Sequence, residues 1–244
     1  MVTKTSKKKP TAVKPVRQPT RGSGVGEAAL RRAVIETAQA MSECGLSPGR
    51  SGNVSARWGD GMLITPSGMP YYELMPKDIV HVTADGAVAQ GQRKPSSEWR
   101  FHLSAYQRRP DCGAVVHTHS LHATVLACAH RRIPAFHYMV AVAGGTDIPC
   151  IPYKPFGTMK LAKLVADGLT ERRACLMANH GQIAIGDTLG AALELAQEVE
   201  VLAEQYVKVR MLGKPRLLSA KQMADVLKRF AAYGQNAQAP AGKG

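Results

Sequence analysis

Apolar and polar positions alternate with a helical period from Glu27 through ALRRAVIETAQAMSECG, which predicts a first helix closed by Gly45. The Gly- and Ser-dense segment LSPGRSGNVSAR then leads into a short strand at Asn53–Arg57. Met62–Thr65 reads as a second strand entering a turn at Pro66–Gly68. Asp78–Val82 reads as a third, followed by the hairpin dipeptide Asp85-Gly86. KPSSEWRFHLSAYQRRPD is amphipathic and predicts a helix opening at Ser96-Ser97 and stopped by Pro110. CGAVVHTHS reads as a buried strand, LHATVLACAHR as a helix and FHYMVA as a strand. Beyond the connector IPCIPYKPFGT, MKLAKLVADGLTER predicts a helix. Ala174–Asn179 and Gln182–Ile185 predict strands on either side of His180-Gly181. Leu189–Leu212 carries the longest amphipathic pattern and Ala220–Tyr233 a last short helix. No repeat or linker divides the interior. Mixed strands and helices therefore predict one α/β domain over 27–234, in three layers with helices on both faces of a sheet.

Length and composition agree with this: 244 residues, 45% hydrophobic and 20% charged, suffice for one sizeable soluble core. No apolar run approaches the roughly 20 residues of a membrane span. Nor does an apolar stretch follow the basic amino terminus as in a secretory signal, so a cytoplasmic location is expected. Five cysteines (Cys44, Cys112, Cys128, Cys150, Cys175) stand apart without C-x-x-C spacing, which fits a reducing compartment rather than a disulfide scaffold. The net charge of +14 is unevenly spread. Residues 1–26 hold seven basic side chains and no acid, leaving 25 basic against 18 acidic over the rest. That first stretch reads as a disordered basic tail, and 235–244, rich in Ala, Gly and Gln, as a flexible one. The basic excess of the body suits an enzyme of phosphorylated metabolites and requires no nucleic acid.

Three motifs carry chemistry. His117 and His119 lie two apart on an apolar strand, so both imidazoles point to one face. Such a pair fits equally one packed and one exposed histidine. With His180, at the end of another buried strand, it forms a facial set suited to a catalytic divalent metal. His81, His102, His122, His130 and His137 lack a partner at ligand spacing. Ser51-Gly52-Asn53, Ser67-Gly68 and Ser96-Ser97 are small-residue turns able to present N–H groups and hydroxyls to a phosphate, or to do no more than cap and turn. Glu98 beside the last of them is placed to act as a base, although a carboxylate there also simply complements a helix dipole.

Taken together, GRSGNVSAR, GMLITPSGMPY, KPSSEWRFHLSAYQRRPD, AVVHTHSLH, IPAFHYMVAVAGG, YKPFGT, NHG and AQEVEVLAEQY resemble the class II aldolase/adducin family, from about Leu30 to Tyr233. The resemblance implies a three-layer α/β/α fold around a mostly antiparallel sheet. It implies a metal-dependent aldehyde-lyase of carbohydrate metabolism that reversibly cleaves a ketose 1-phosphate, L-fuculose 1-phosphate or similar, to dihydroxyacetone phosphate and an aldehyde. Zinc, or alternatively cobalt or manganese, would be held by His117, His119 and His180 with Glu98 and would stabilise the enediolate. Burial would push the Glu98 carboxyl toward neutrality, letting it shuttle protons at the carbon of that enediolate. Tyr138 would protonate the aldehyde oxygen in the cleavage direction. Asn53, Ser67, Gly68, Ser96 and Ser97 would bind the phosphate. Phe156 and Tyr233 would shape the aldehyde pocket, the latter from a neighbouring subunit of a homotetramer with sites at its interfaces.

Alternatives within the same resemblance are an aldolase or dehydratase acting on a 5-deoxypentulose or methylthio-pentulose 1-phosphate, a pentulose-phosphate 4-epimerase, and a non-catalytic adducin-like module. Phe136-His137-Tyr138-Met139, where epimerases carry an acidic H-A-D motif, argues for cleavage, and the histidine set argues against the module. One departure stands out: Arg50 occupies the place of a threonine in the family's fuculose-phosphate branch. It either pairs with the phosphate, crowds the pocket or faces solvent.

Overall fold

Strand residues of the central sheet alternate between two separate apolar clusters, because successive side chains leave a strand on opposite faces. In the computed structural model, Val54, Ala56, Leu63, Ala114, Val116 and Ala184 face one cluster, and Met62, Ile64, Val115, Ile183 and Ile185 the other. The structure describes residues 26–47 and 51–233, with no side chains beyond 230. The tails expected over 1–26 (save Gly26) and 235–244, and Arg50, lie outside the described residues.

The strands are β1 (Asn53–Trp58), β2 (Gly61–Ile64), β3 (Val80–Val82), β4 (Ala114–Thr118), β5 (Cys150–Ile151), β6 (Ala174–Met177) and β7 (Gly181–Gly186). They form one sheet in the order β3-β2-β1-β4-β7-β6-β5. Every pairing is antiparallel except β5 with β6, so the mostly antiparallel sheet is borne out. Helices α1 (Glu27–Glu43), α3 (Leu121–Cys128) and α5 (Leu189–Leu212) cover the first face. Helices α2 (Trp99–Arg108) and α4 (Met159–Gly168) cover the second. Helix α6 (Ala220–Tyr233) closes the described chain. The three-layer expectation therefore holds.

Four local expectations differ. FHYMVA was expected as a strand, but Tyr138–Ala143 is a 3₁₀ helix ended by Gly144 in the left-handed conformation. Its Val140 and Ala143 are buried three apart, one turn of such a helix, with Ala141 buried beside them; a period of two would not bury both 140 and 143. The connector after Pro149 contains the two-residue edge strand β5, held between Pro149 and Pro152. Helix α2 starts at Trp99 rather than at the serine pair, with Glu98 as its cap residue, while Ser96 donates its N–H to Thr65 O at 3.0 Å. Asp85-Gly86 turns the chain, with Gly86 N–H bonded to Thr83 O, but no partner strand follows.

Candidate active site

Two extended strands and two turns bring the predicted residues together. In register, Asn53 of β1 pairs with His117 of β4, which pairs on its other side with Ile183 of β7. His119 lies just past β4 and His180 in the tight turn between β6 and β7. Gly181 makes that approach feasible: a Cβ there would stand 2.4 Å from Thr118 O and 3.0 Å from His119 Cδ2. Glu98, at the start of α2, reaches the same point from the second face. The donor atoms of Glu98, His117, His119 and His180 all lie within 4.8 Å of one another.

His117 Nδ1 donates to Gln182 O at 2.7 Å, so its Nε2 is turned inward. That Nε2 lies 3.0 Å from His119 Nε2 and 3.1 Å from Glu98 Oε2. His180 Nε2 lies 2.8 Å from Glu98 Oε1. Bare imidazole nitrogens and a carboxylate this close repel unless positive charge lies between them. The donor set and the carbonyl behind His117 are those of a divalent-metal site with its outer support. These four residues fit a metal ion.

The expected rise of the Glu98 pKa is corrected. Burial pushes the carboxyl up, but the charge of His117 and hydrogen bonds with His117 and His180 outweigh it. They hold Glu98 well below the usual carboxylate range, ionised. His119 moves down to about 4, through burial and then the charges of His117 and His180.

Beside this cluster opens a cavity of about 340 Å³. Asn53, Ser67, Gly68, Ser96, Ser97 and Phe156 all line it, with Glu98, His119 and His180. The three small-residue turns thus share one wall: Ser67 N–H to Lys94 O and Ser96 N–H to Thr65 O, each 3.0 Å, join the second and third, and Thr65 N–H to Val54 O at 3.1 Å ties them to the strand that follows the first. Tyr138 is half exposed and does not line this cavity within one chain. Tyr233 falls in α6, its side chain outside the described residues.

Several contributors were not foreseen. Tyr153, Lys154 and Asn179 line the cavity, and Lys154 is the one Lys or Arg among its described lining residues. Tyr153-Lys154 opens the YKPFGT motif, in which only Phe156 carries an expected site role. A buried hydrogen-bonded line also runs beneath Glu98. Asn53 Nδ2 donates to Glu98 Oε2 at 2.8 Å, and Asn53 Oδ1 accepts from His102 Nε2 at 2.5 Å. His102 Nδ1 and Tyr106 OH both meet Ser55 Oγ, at 2.7 and 2.8 Å. Burial and the charge of His117 lower the His102 pKa to about 3, so the ring is neutral and donates from Nε2. Asn53 keeps only its second amide hydrogen for an anion. The sequence did hold a signal: Asn53 and Ser55 are polar at i and i+2 on an apolar strand, and His102 and Tyr106 are one helical turn apart.

The match with known proteins agrees. Residues 32–207 match the family model described as Class II Aldolase and Adducin N-terminal domain. The chain belongs to this family and is an aldehyde-lyase of class II. It is 52% identical over 212 residues to the 5-methylthioribulose-1-phosphate/5-deoxyribulose-1-phosphate aldolase of Rhodospirillum rubrum, covering 87% of this chain and 96% of that one. It is 48% identical over 206 residues to the L-fuculose phosphate aldolase of Escherichia coli K12, covering 84% and 95%. A solved L-fuculose 1-phosphate aldolase superposes with a TM-score of 0.81 at 38% identity, covering 86% of this chain and all of that one.

Proposed function

We propose that this protein reversibly cleaves a ketose 1-phosphate to dihydroxyacetone phosphate and an aldehyde, with a divalent metal, zinc first, held by Glu98, His117, His119 and His180. The convergence of those four donors beside the small-residue cavity carries the reading. A metal there would supply Lewis-acid stabilisation of negative charge developing on the substrate oxygens. Asn53, Ser67, Gly68, Ser96 and Ser97 hold the phosphate, and Lys154 offers a counter-charge from the cavity wall. Anchoring that non-reacting end orients the bond to be broken.

Cleavage moves one proton from the C4 hydroxyl to C3. Glu98 is ionised and so free to accept it and return it to C3, although a carboxyl held below its ordinary range is the weaker base for it. The same balance reverses the direction expected for Tyr138: in cleavage it would relay the hydroxyl proton, passing its own O–H proton toward Glu98 as it receives the one from C4, and in synthesis the relay would run backwards. Because Tyr138 lies outside the cavity of a single chain, it would act from a neighbouring copy in a homotetramer, as would Tyr233. Phe156 would face the aldehyde. Five free cysteines support a cytoplasmic location, and no described helix is long and apolar enough to cross a membrane.

Two substrates are favoured by different relatives: L-fuculose 1-phosphate, and a 5-deoxy- or 5-methylthio-ribulose 1-phosphate. A coupled assay for dihydroxyacetone phosphate across fuculose, rhamnulose, ribulose, 5-deoxyribulose and 5-methylthioribulose 1-phosphates decides between them. No release from any of the five by the zinc-loaded protein would refute the proposed reaction.

A further inference from the structure

Among the described residues, His130 and Asn179 alone combine a side chain with a left-handed backbone, at φ 52° and 54°. They are hydrogen-bonded to each other, His130 Nε2 to Asn179 Oδ1 at 2.6 Å. Asn179 immediately precedes His180, and its N–H donates to Ala127 O at 3.1 Å. The end of α3 is thus clasped to the turn that carries one of the four converging donors.

His130 is an unusual choice for its place. Its N–H bonds to Ala127 O and the next N–H, of Arg131, to Leu126 O. This is the double bond of a helix C-terminus whose left-handed residue is ordinarily glycine. The chain itself follows that rule at α1, where Gly45 takes the position with φ 78° and the same pair of bonds. Glycine at 130 would remove strain. The histidine side chain is exposed and adds no core packing; Asn179 is the partner it gains.

We infer that His130 is a positioning residue: through Asn179 it fixes the strained turn that aims His180, and so sets the affinity of the site for its metal. The inference rests on the metal site proposed above, and concerns metal binding rather than the reaction.

The test compares the full-length wild type with His130→Gly and His130→Gln, first stripped of metal. Affinity for Co²⁺ is measured by competition with a chelator, alongside thermal midpoints and the visible spectrum of the Co²⁺ form. Loss of one hydrogen bond predicts that His130→Gly binds Co²⁺ roughly three- to tenfold more weakly. Its thermal midpoint without metal should be unchanged or higher, since glycine relieves the left-handed strain. His130→Gln, whose amide can also donate to Asn179 Oδ1, should recover most of the affinity and the wild-type spectrum. Affinity within twofold of wild type in His130→Gly overturns the inference. So does a loss that tracks a lower thermal midpoint and that glutamine does not restore. A wild-type chain that binds no divalent metal overturns both this inference and the metal site. A chain that binds metal but cleaves no ketose phosphate overturns the reaction alone.

Discussion

At the scale of single residues, Glu98 and the histidines are separable by what each substitution removes. Glu98→Gln retains three imidazoles and a carbonyl oxygen but no proton acceptor. It should keep its metal and lose about 10²- to 10⁴-fold in turnover. His119→Ala takes a donor from the cluster and should lose metal and turnover together. Metal content and dihydroxyacetone phosphate release measure both; full turnover in metal-free His119→Ala would refute the mechanism. His102 provides a different readout. It is fully buried, and its pKa falls from 6.5 in the open chain to about 3, through burial first and the His117 charge second. The unfolded chain therefore takes up a proton that the folded one refuses. The stability is complete above about pH 6.5 and is lost as pH falls toward 3, with a slope of up to about 1.4 kcal/mol per pH unit from this group. Urea titrations of metal-free protein between pH 7 and 4 should show a shallower pH slope in His102→Gln than in wild type. Parallel slopes would mean that His102 is not buried neutral.

Among the elements, β4 and β7 do most to build the site, because their register sets His117 against Gln182 O and brings His180 beside His119. Gly181→Ala drives a methyl into Thr118 O and the His119 ring. It should lower stability by about 1–3 kcal/mol and weaken metal binding. A variant with wild-type melting and metal content would show that the strands can part without cost. The same elements explain what was readable beforehand. The strand carrying His117 and the one leading to His180 are apolar runs legible in the sequence, and the i, i+2 rule placed His117 and His119 on one face. The three anion turns were each visible, but their convergence depends on long-range pairings such as Pro66 with Pro95, which no local pattern encodes. The segment Tyr138–Ala143 misled because aromatic and β-branched residues favour strands, while tertiary burial of Val140, Ala141 and Ala143 decided otherwise. Strand β5 is too short to show a period at all. Lys154 has no signature of its own in the proline-flanked pair Tyr153-Lys154 until the cavity is seen.

For the whole molecule, the unfinished part of the site is the argument for assembly. Tyr138, given a proton-transfer role by the family resemblance, stands at the surface of the single chain and away from its cavity. An apolar strip is exposed as well. Leu121 and Val125 lie one turn apart on α3, and Val201 is exposed on α5 next in sequence to Glu200, which accepts from the N–H groups of His122 and Ala123 at 2.8 and 2.9 Å. Strips of this kind on a soluble protein mark contact surfaces. If neighbouring copies cover it and deliver Tyr138 to one another's cavities, a buried charge at its centre should split assembly from metal binding. Val125→Glu faces solvent in the isolated chain, so folding and the four metal donors should survive. At an interface its carboxylate would be desolvated without a partner, at a cost of several kcal/mol. Sedimentation velocity should then show smaller species than wild type, with unchanged metal content and at least tenfold lower turnover. A wild type that sediments as a monomer with full activity would place the whole active site within one chain, and Tyr138 outside it.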